Sequence, residues 1–339
     1  MKSNLRVAIA GLGRLGKRHA RQLALTRGCE LVAACSPLAE ERAWAQAELG
    51  LGRCHDSLEP LLAAPDVDAV VLVTPTSVHA EQTIAALRAG KHVLVEKPLA
   101  LRVEDCERVQ EVAREHPAQV AMVGFVRRFD PSYARAWEQV RDGRVGRPFL
   151  VRSQTCDLND PEGFFVRFAP SSGGLFMDCS VHDIDLARWM LGYPRALRAF
   201  ATGSIVLHPG LQECGDVDNG LALVEFEGGA RAAFYASRTM PHGHETRTEV
   251  IGTAGILEIG HGAARDRVVA RDAQGVSHAA TADFFERFEQ AFQLEIGAFV
   301  DACRGLRPAR TTLADATEAT RIAEAITRSL RSGAVEAVG

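Results

Sequence analysis

Short apolar runs alternate with stretches of helical spacing over the first third of the chain. Residues 5–10, 31–35, 69–73, 93–95 and 120–125 are the apolar runs, and residues 15–26, 39–49, 79–89 and 104–115 repeat apolar positions every three or four residues. Gly90 closes the third helical stretch and Pro117 stops the fourth. Buried strands separated by amphipathic helices predict βαβ units and a parallel sheet covered on both faces. The right-handed crossover rule then makes a doubly wound α/β domain over residues 1–124 the economical topology.

From about Phe125 the texture changes. Residues 149–153, 198–206, 222–226, 230–236, 246–251, 256–259 and 267–271 read as strands, joined by turns such as Gly228-Gly229 and Thr253-Ala254-Gly255. One helix over 174–191 interrupts them early, and 283–331 returns to helical periodicity with a break at 306–308. The pattern predicts an α+β domain over 125–339 with a mostly antiparallel open sheet, its last helices able to pack back on the first domain.

A length of 339 residues suits about two domains, and 47% apolar with 24% charged residues excludes disorder and fibrous repeats. Asp plus Glu outnumber Lys plus Arg, 43 to 39, for a net charge of −4, so no basic excess points to nucleic acid. The apolar runs fall far short of the ~20 residues a membrane helix needs. Residues 1–11 form a charged tip running into a strand, so neither a membrane segment nor a secretory signal is expected. The eight cysteines are scattered singly, without C-x-x-C pairs or zinc spacing, which predicts reduced thiols, no metal and a cytoplasmic protein.

Gly11-Leu12-Gly13-Arg14-Leu15-Gly16 follows the first strand and opens a helix. That context makes it a dinucleotide loop of a Rossmann domain: glycines for the tight turn, for backbone approach to a pyrophosphate and for helix–strand packing. The acid expected at the tip of the second strand is replaced by Ser36, with Glu40 and Glu41 a little later and no Arg directly following. These residues leave NAD and NADP both open. Thr74, Pro75, Thr76 and His79, then Glu96 and Lys97 before Pro98, end two further strands at the same carboxyl edge, where ligands bind in such folds. Lys97 is one of four lysines in an arginine-rich chain, and Lys can exchange a proton with a hydroxyl where Arg cannot.

After Gly173-Gly174, residues Asp178, His182, Asp185 and Trp189 lie four, three and four apart and would share one helical stripe. Asp185 and Trp189 read as buried packing. Asp178 and His182, nearest the glycines, read as functional, since an imidazole can take a hydroxyl proton as hydride leaves the same carbon.

With these residues in place the chain resembles the Gfo/Idh/MocA oxidoreductases, named after glucose–fructose oxidoreductase and inositol dehydrogenase, over nearly its whole length. The marks are the Gly11–Gly16 loop, Glu96-Lys97-Pro98, Gly124-Phe125-Val126-Arg127-Arg128-Phe129-Asp130-Pro131, and Gly173-Gly174 followed by Asp178, His182 and Asp185. The Arg-Arg-Phe-Asp-Pro stretch and residues 288–300 look most like the inositol 2-dehydrogenase branch. The resemblance implies oxidation of a secondary ring hydroxyl of a cyclic polyol or sugar, with hydride passing to NAD or NADP and the family leaning to NAD. It places Lys97, Asp178 and His182 on the catalytic trio, and Arg127, Asp157 and His242 where polyol contacts lie. Thr155 and Asp157 stand where some members have His and Asn, and His242 where Tyr is common, so the polyol need not be myo-inositol. A homo-oligomer, dimer or tetramer, is implied as well. The alternatives carried forward are an aldose dehydrogenase of the same family, an NAD-dependent glycoside hydrolase and a dinucleotide-sensing regulator without catalysis.

Overall fold

The computed structural model describes residues 4–260, 264–266 and 268–339. Two compact units form. One takes the described residues up to Phe129 together with Gln290–Glu318; the other takes Asp130–Glu289 with Ala319–Gly339.

The first unit is built on six parallel strands, β1 (Leu5–Ala10), β2 (Cys29–Cys35), β3 (Cys54–His55), β4 (Ala69–Leu72), β5 (His92–Glu96) and β6 (Ala121–Gly124), in the order β3-β2-β1-β4-β5-β6. The helices α1 (Arg14–Leu25), α2 (Ala39–Leu49), α3 (Glu59–Ala63), α4 (His79–Arg88) and α5 (Val103–Glu115) form the crossovers. Val7, Ile9, Val70, Val93 and Val95 are buried, as strands covered on both faces require. The order reverses between β1 and β4, the switch point at which an open α/β sheet leaves a crevice at its carboxyl edge. The sequence places the boundary after residue 124, whereas this compact unit extends to Phe129. The extension is held from its own unit: the Arg128 guanidinium pairs with Asp315 at 3.2 Å, and Arg310 donates to the Arg128 carbonyl at 2.9 Å.

The second unit opens with α6 (Pro131–Arg141). Asp130 caps it, accepting the Ser132 and Tyr133 N–H groups at 2.9 and 3.2 Å, with Pro131 preset at the first turn. Then come β7 (Pro148–Leu158), α7 (Phe164–Ser172), a π-helical turn at Phe176–Ser180 and α8 (Val181–Met190). The strands β8 (Ala196–Ser204), β9 (Asn219–Phe226), β10 (Arg231–Met240), β11 (Glu245–Gly252) and β12 (Gly255–Ile259) follow. A small hairpin, β13 (Ala270–Asp272) and β14 (Gly275–Ser277), precedes α9 (Phe284–Cys303), α10 (Leu313–Ser332) and β15 (Glu336–Ala337); the stretch Gln290–Glu318 of these two helices and their connection belongs to the first unit. The seven-stranded sheet runs β12-β11-β7-β10-β9-β8-β15 and is antiparallel except for the β7–β10 pair. Of the strand expected over 267–271, Arg267 lies outside the described residues and pairing begins at Ala270.

The helix expected over 174–191 is not regular: the π turn precedes α8 and breaks the even stripe from Asp178 to Trp189. Two consecutive left-handed glycines, Gly173 (φ 79°) and Gly174 (φ 88°), set its start. Trp189 stacks on Trp137 with ring centres 5.2 Å apart, and Asp185 is buried. Asp183, also buried, accepts the Ser153 and Thr155 hydroxyls at 2.6 Å each and pins α8 to β7.

Candidate active site

In the first unit the carboxyl ends of β1, β2, β4 and β5 carry the dinucleotide candidates. Gly11 sits at φ 89°, and a Cβ there would fall 2.4 Å from the Val73 carbonyl oxygen; one on Gly16 would fall 2.1 Å from the Gly11 carbonyl oxygen. Only glycine fits either place. At Gly13 the space is open, with Glu41 Oε1 the one neighbour, 3.9 Å from a Cβ. A loop that excludes side chains at its ends and leaves its middle backbone approachable, at the start of α1, suits a pyrophosphate. The residues present fit a bound dinucleotide.

His79 is buried, its Nδ1 2.9 Å from the Pro98 carbonyl oxygen and its Nε2 2.8 Å from that of Thr74. It clamps the loops after β4 and β5 together. Glu96 at the end of β5 pairs with His19 Nε2 at 2.7 Å, and its Oε2 accepts the Lys97 N–H at 3.1 Å. Burial raises the Glu96 pKa, but the bond to His19 and the charges of His19 and Lys97 outweigh it and hold the carboxyl below its ordinary value. Lys97 itself is half-buried and precedes a cis proline. Arg127 is buried in the turn after β6.

The second unit gathers charge around Arg238 on β10. This wholly buried guanidinium bonds Asp178 Oδ2 at 3.0 Å and Asp216 Oδ2 at 3.4 Å. Asp216 also accepts the Leu175 N–H at 2.9 Å, just before the π turn that carries Asp178. Asp157 accepts His244 Nδ1 at 2.8 Å, and the Cys179 thiol lies 3.5 Å from its other oxygen. Burial raises the Asp157 pKa, yet the bond and charge of His244, helped by Arg238, hold it low despite Asp178 nearby. Burial alone would lower the Arg238 pKa, but Cys179, Asp178, Asp216 and Asp157 raise it further, so the guanidinium stays charged. Carboxylates kept in place by a buried guanidinium and a buried imidazole are acceptors ready for hydroxyl groups.

Within this unit Asp157 and Asp178 come together, and His182 follows on the first turn of α8. His242 is more open, 45% exposed along its side chain and paired with Glu245 at 3.2 Å, two residues before the His244 that bonds Asp157. Sequence reasoning missed Arg238, Asp216 and His244. Nothing local marks any of the three: Arg238 sits between Ser237 and Thr239, past the apolar run of β10. Among the described residues no cluster of His, Cys, Asp or Glu could hold a metal.

The family model described as Gfo/Idh/MocA oxidoreductase family, NAD-binding Rossmann fold, matches residues 5–125, and the Gfo/Idh/MocA C-terminal domain matches 133–258. A scyllo-inositol 2-dehydrogenase (NAD(+)) of Bacillus subtilis is 38% identical, covering 98% of this chain and 96% of its own. A myo-inositol 2-dehydrogenase of Thermotoga maritima is 31% identical, covering 96% of each. The crystal structure of scyllo-inositol dehydrogenase from Lactobacillus casei with bound NAD(H) and scyllo-inositol superposes with a TM-score of 0.95 at 36% identity, covering 99% of both chains.

Proposed function

The chain belongs to the Gfo/Idh/MocA family of NAD-binding oxidoreductases, and on that premise we propose that it oxidises one ring hydroxyl of an inositol. What carries the reading is the full-length match to a relative named for scyllo-inositol, which makes that isomer the first to test. Bound NAD supplies the hydride acceptor. His182 takes the proton of the reacting hydroxyl, Lys97 hydrogen-bonds the same oxygen, and Asp178, paired with Arg238 at 3.0 Å, fixes their orientation and charge balance. Arg127, Asp157 and His242 bind the remaining hydroxyls. The Gly11–Gly16 loop with Ser36, Thr74, Pro75, Thr76, His79 and Glu96 holds or braces the dinucleotide.

Among the described residues the eight cysteines form no disulfide, which suits a reducing compartment and supports a cytoplasmic enzyme; no described helix is long and apolar enough to cross a membrane. The exposed apolar face of the second sheet supports a homo-oligomer, dimer or tetramer.

The test is a panel of scyllo-inositol, myo-inositol and aldoses with NAD and NADP, following reduced nicotinamide and identifying the product. A ring ketone formed mole for mole with NADH is expected. Lys97→Met and His182→Ala should each cut turnover at least ~100-fold while still binding NADH, the scale of lost acid–base catalysis. Near-normal turnover in both variants would refute the assignment.

A further inference from the structure

The tip of β2 carries Ser36 where a dinucleotide fold keeps the acid that grips the adenosine ribose. A carboxylate reaches that place from another element. Glu41, in the first turn of α2, folds back so that its Oε2 accepts the Ser36 hydroxyl at 2.5 Å. The Ser36 oxygen in turn accepts the Leu38 N–H at 3.2 Å, which fixes its direction. The second Glu41 oxygen, Oε1, reaches the open side of Gly13, at 3.9 Å from a Cβ built there. The glycine loop is tied to the same strand tip, because the Gly11 N–H donates to the Cys35 carbonyl at 2.9 Å. The neighbouring Arg42 spends its Nη1 on the Ser36 and Pro37 carbonyls at 2.7 and 3.0 Å. That bonding turns it onto the backbone.

We infer that Glu41 is the cofactor-selecting residue of this chain. Posted by Ser36 beside the approachable glycine of the loop, its carboxylate accepts the adenosine ribose hydroxyls and repels a 2′-phosphate, so the protein selects NAD over NADP. A serine at the strand tip therefore does the work of an aspartate by relay, taking the charge from five residues further along. The inference rests on the dinucleotide reading of the Gly11–Gly16 loop, and not on which polyol is oxidised.

The test is titration of the full chain with NADH and NADPH, without polyol, following nicotinamide fluorescence. Wild type should bind NADH at least ~10-fold more tightly than NADPH, as expected when two extra negative charges meet a fixed carboxylate. Glu41→Gln keeps the side-chain length but drops the charge, and should narrow that ratio by roughly tenfold. Ser36→Ala, which leaves the charge, should narrow it less. Ser36→Asp in the Glu41→Gln background should restore the NADH preference, a rescue that a merely structural role would not give. A ratio unmoved by Glu41→Gln in a variant with wild-type unfolding temperature overturns the inference, and so does a wild type that prefers NADPH through Arg14 or Arg42. Binding of neither nucleotide removes the dinucleotide reading together with this one. A Glu41-dependent ratio in a protein that oxidises no inositol removes only the substrate.

Discussion

Glu96 and Glu295 are both buried in the first unit, and their surroundings drive their titrations apart. Glu96 has the His19 ring at 2.7 Å and stays ionised. Glu295, on α9, has no hydrogen-bond partner on either oxygen among the described residues; burial and the charge on Glu96 push its pKa well above the ordinary value. The pair therefore holds one negative charge, as close carboxylates do. A carboxyl whose folded pKa is raised costs nothing below the unfolded value. Its penalty begins as pH passes that value and grows until the folded pKa is reached. Glu295→Gln removes the titration while keeping the shape. The variant should exceed wild type in stability by an amount that rises with pH, by up to about 1.4 kcal/mol per unit above pH ~4.5. Urea unfolding at several pH values between about 5 and 8 measures it, and a difference that stays flat across that range would mean Glu295 is not held neutral. The candidate site residues that the chain itself offered are those odd for their place, such as a lysine at a strand end or an acid and an imidazole after paired glycines. Arg238 finds Asp178 across 60 residues and His244 finds Asp157 across 87, and no local spacing encodes either meeting.

At the scale of elements, the parallel strands were legible because an apolar run buried on both faces has few alternatives. The region from Asp130 to Met190 was less so. Helix α7 contains Phe164, Phe165, Phe168 and Pro170, a composition with weak helical preference, and α6 is signalled chiefly by its Asp130-Pro131 start. The π turn arises from contacts rather than from propensity. Gly174 holds φ at 88°, and a Cβ on it would come to 3.0 Å from the Asp216 oxygen that accepts the Leu175 N–H. Gly192, which follows α8, has φ 81° but nothing within 4 Å of a Cβ. Alanine at position 192 should cost only the left-handed backbone term, about 1–2 kcal/mol. Gly174→Ala should cost that and displace Asp216 as well, for a total of roughly 2–4 kcal/mol, with turnover falling as Asp178 loses its setting. Equal losses in the two variants by chemical unfolding would show that Asp216 does not support the turn.

At the scale of the whole molecule, the second sheet is unlike the first because helices leave one of its faces uncovered. Strand β9 alternates buried Ala222, Val224 and Phe226 with exposed Leu221 and Leu223, each 57% accessible. The register extends the exposed row: Leu223 lies opposite Phe200 on β8 and Ala233 on β10, and Leu221 opposite Tyr235. Glu225 borders this patch with ion pairs to Arg198 and, at 2.8 Å, to Arg231. A contiguous apolar row with a charged rim is the anatomy of a subunit contact. In a two-fold interface every substituted residue appears twice. Leu221→Lys with Leu223→Lys would therefore set four ammonium groups against an apolar surface. Because both positions face outward, the fold itself has little to lose. Wild type should run as a dimer or tetramer in light scattering, and the double variant should fall to a smaller species with unchanged circular dichroism. A variant that kept the wild-type mass would place the contact elsewhere on the chain, and a monomeric wild type would remove it altogether.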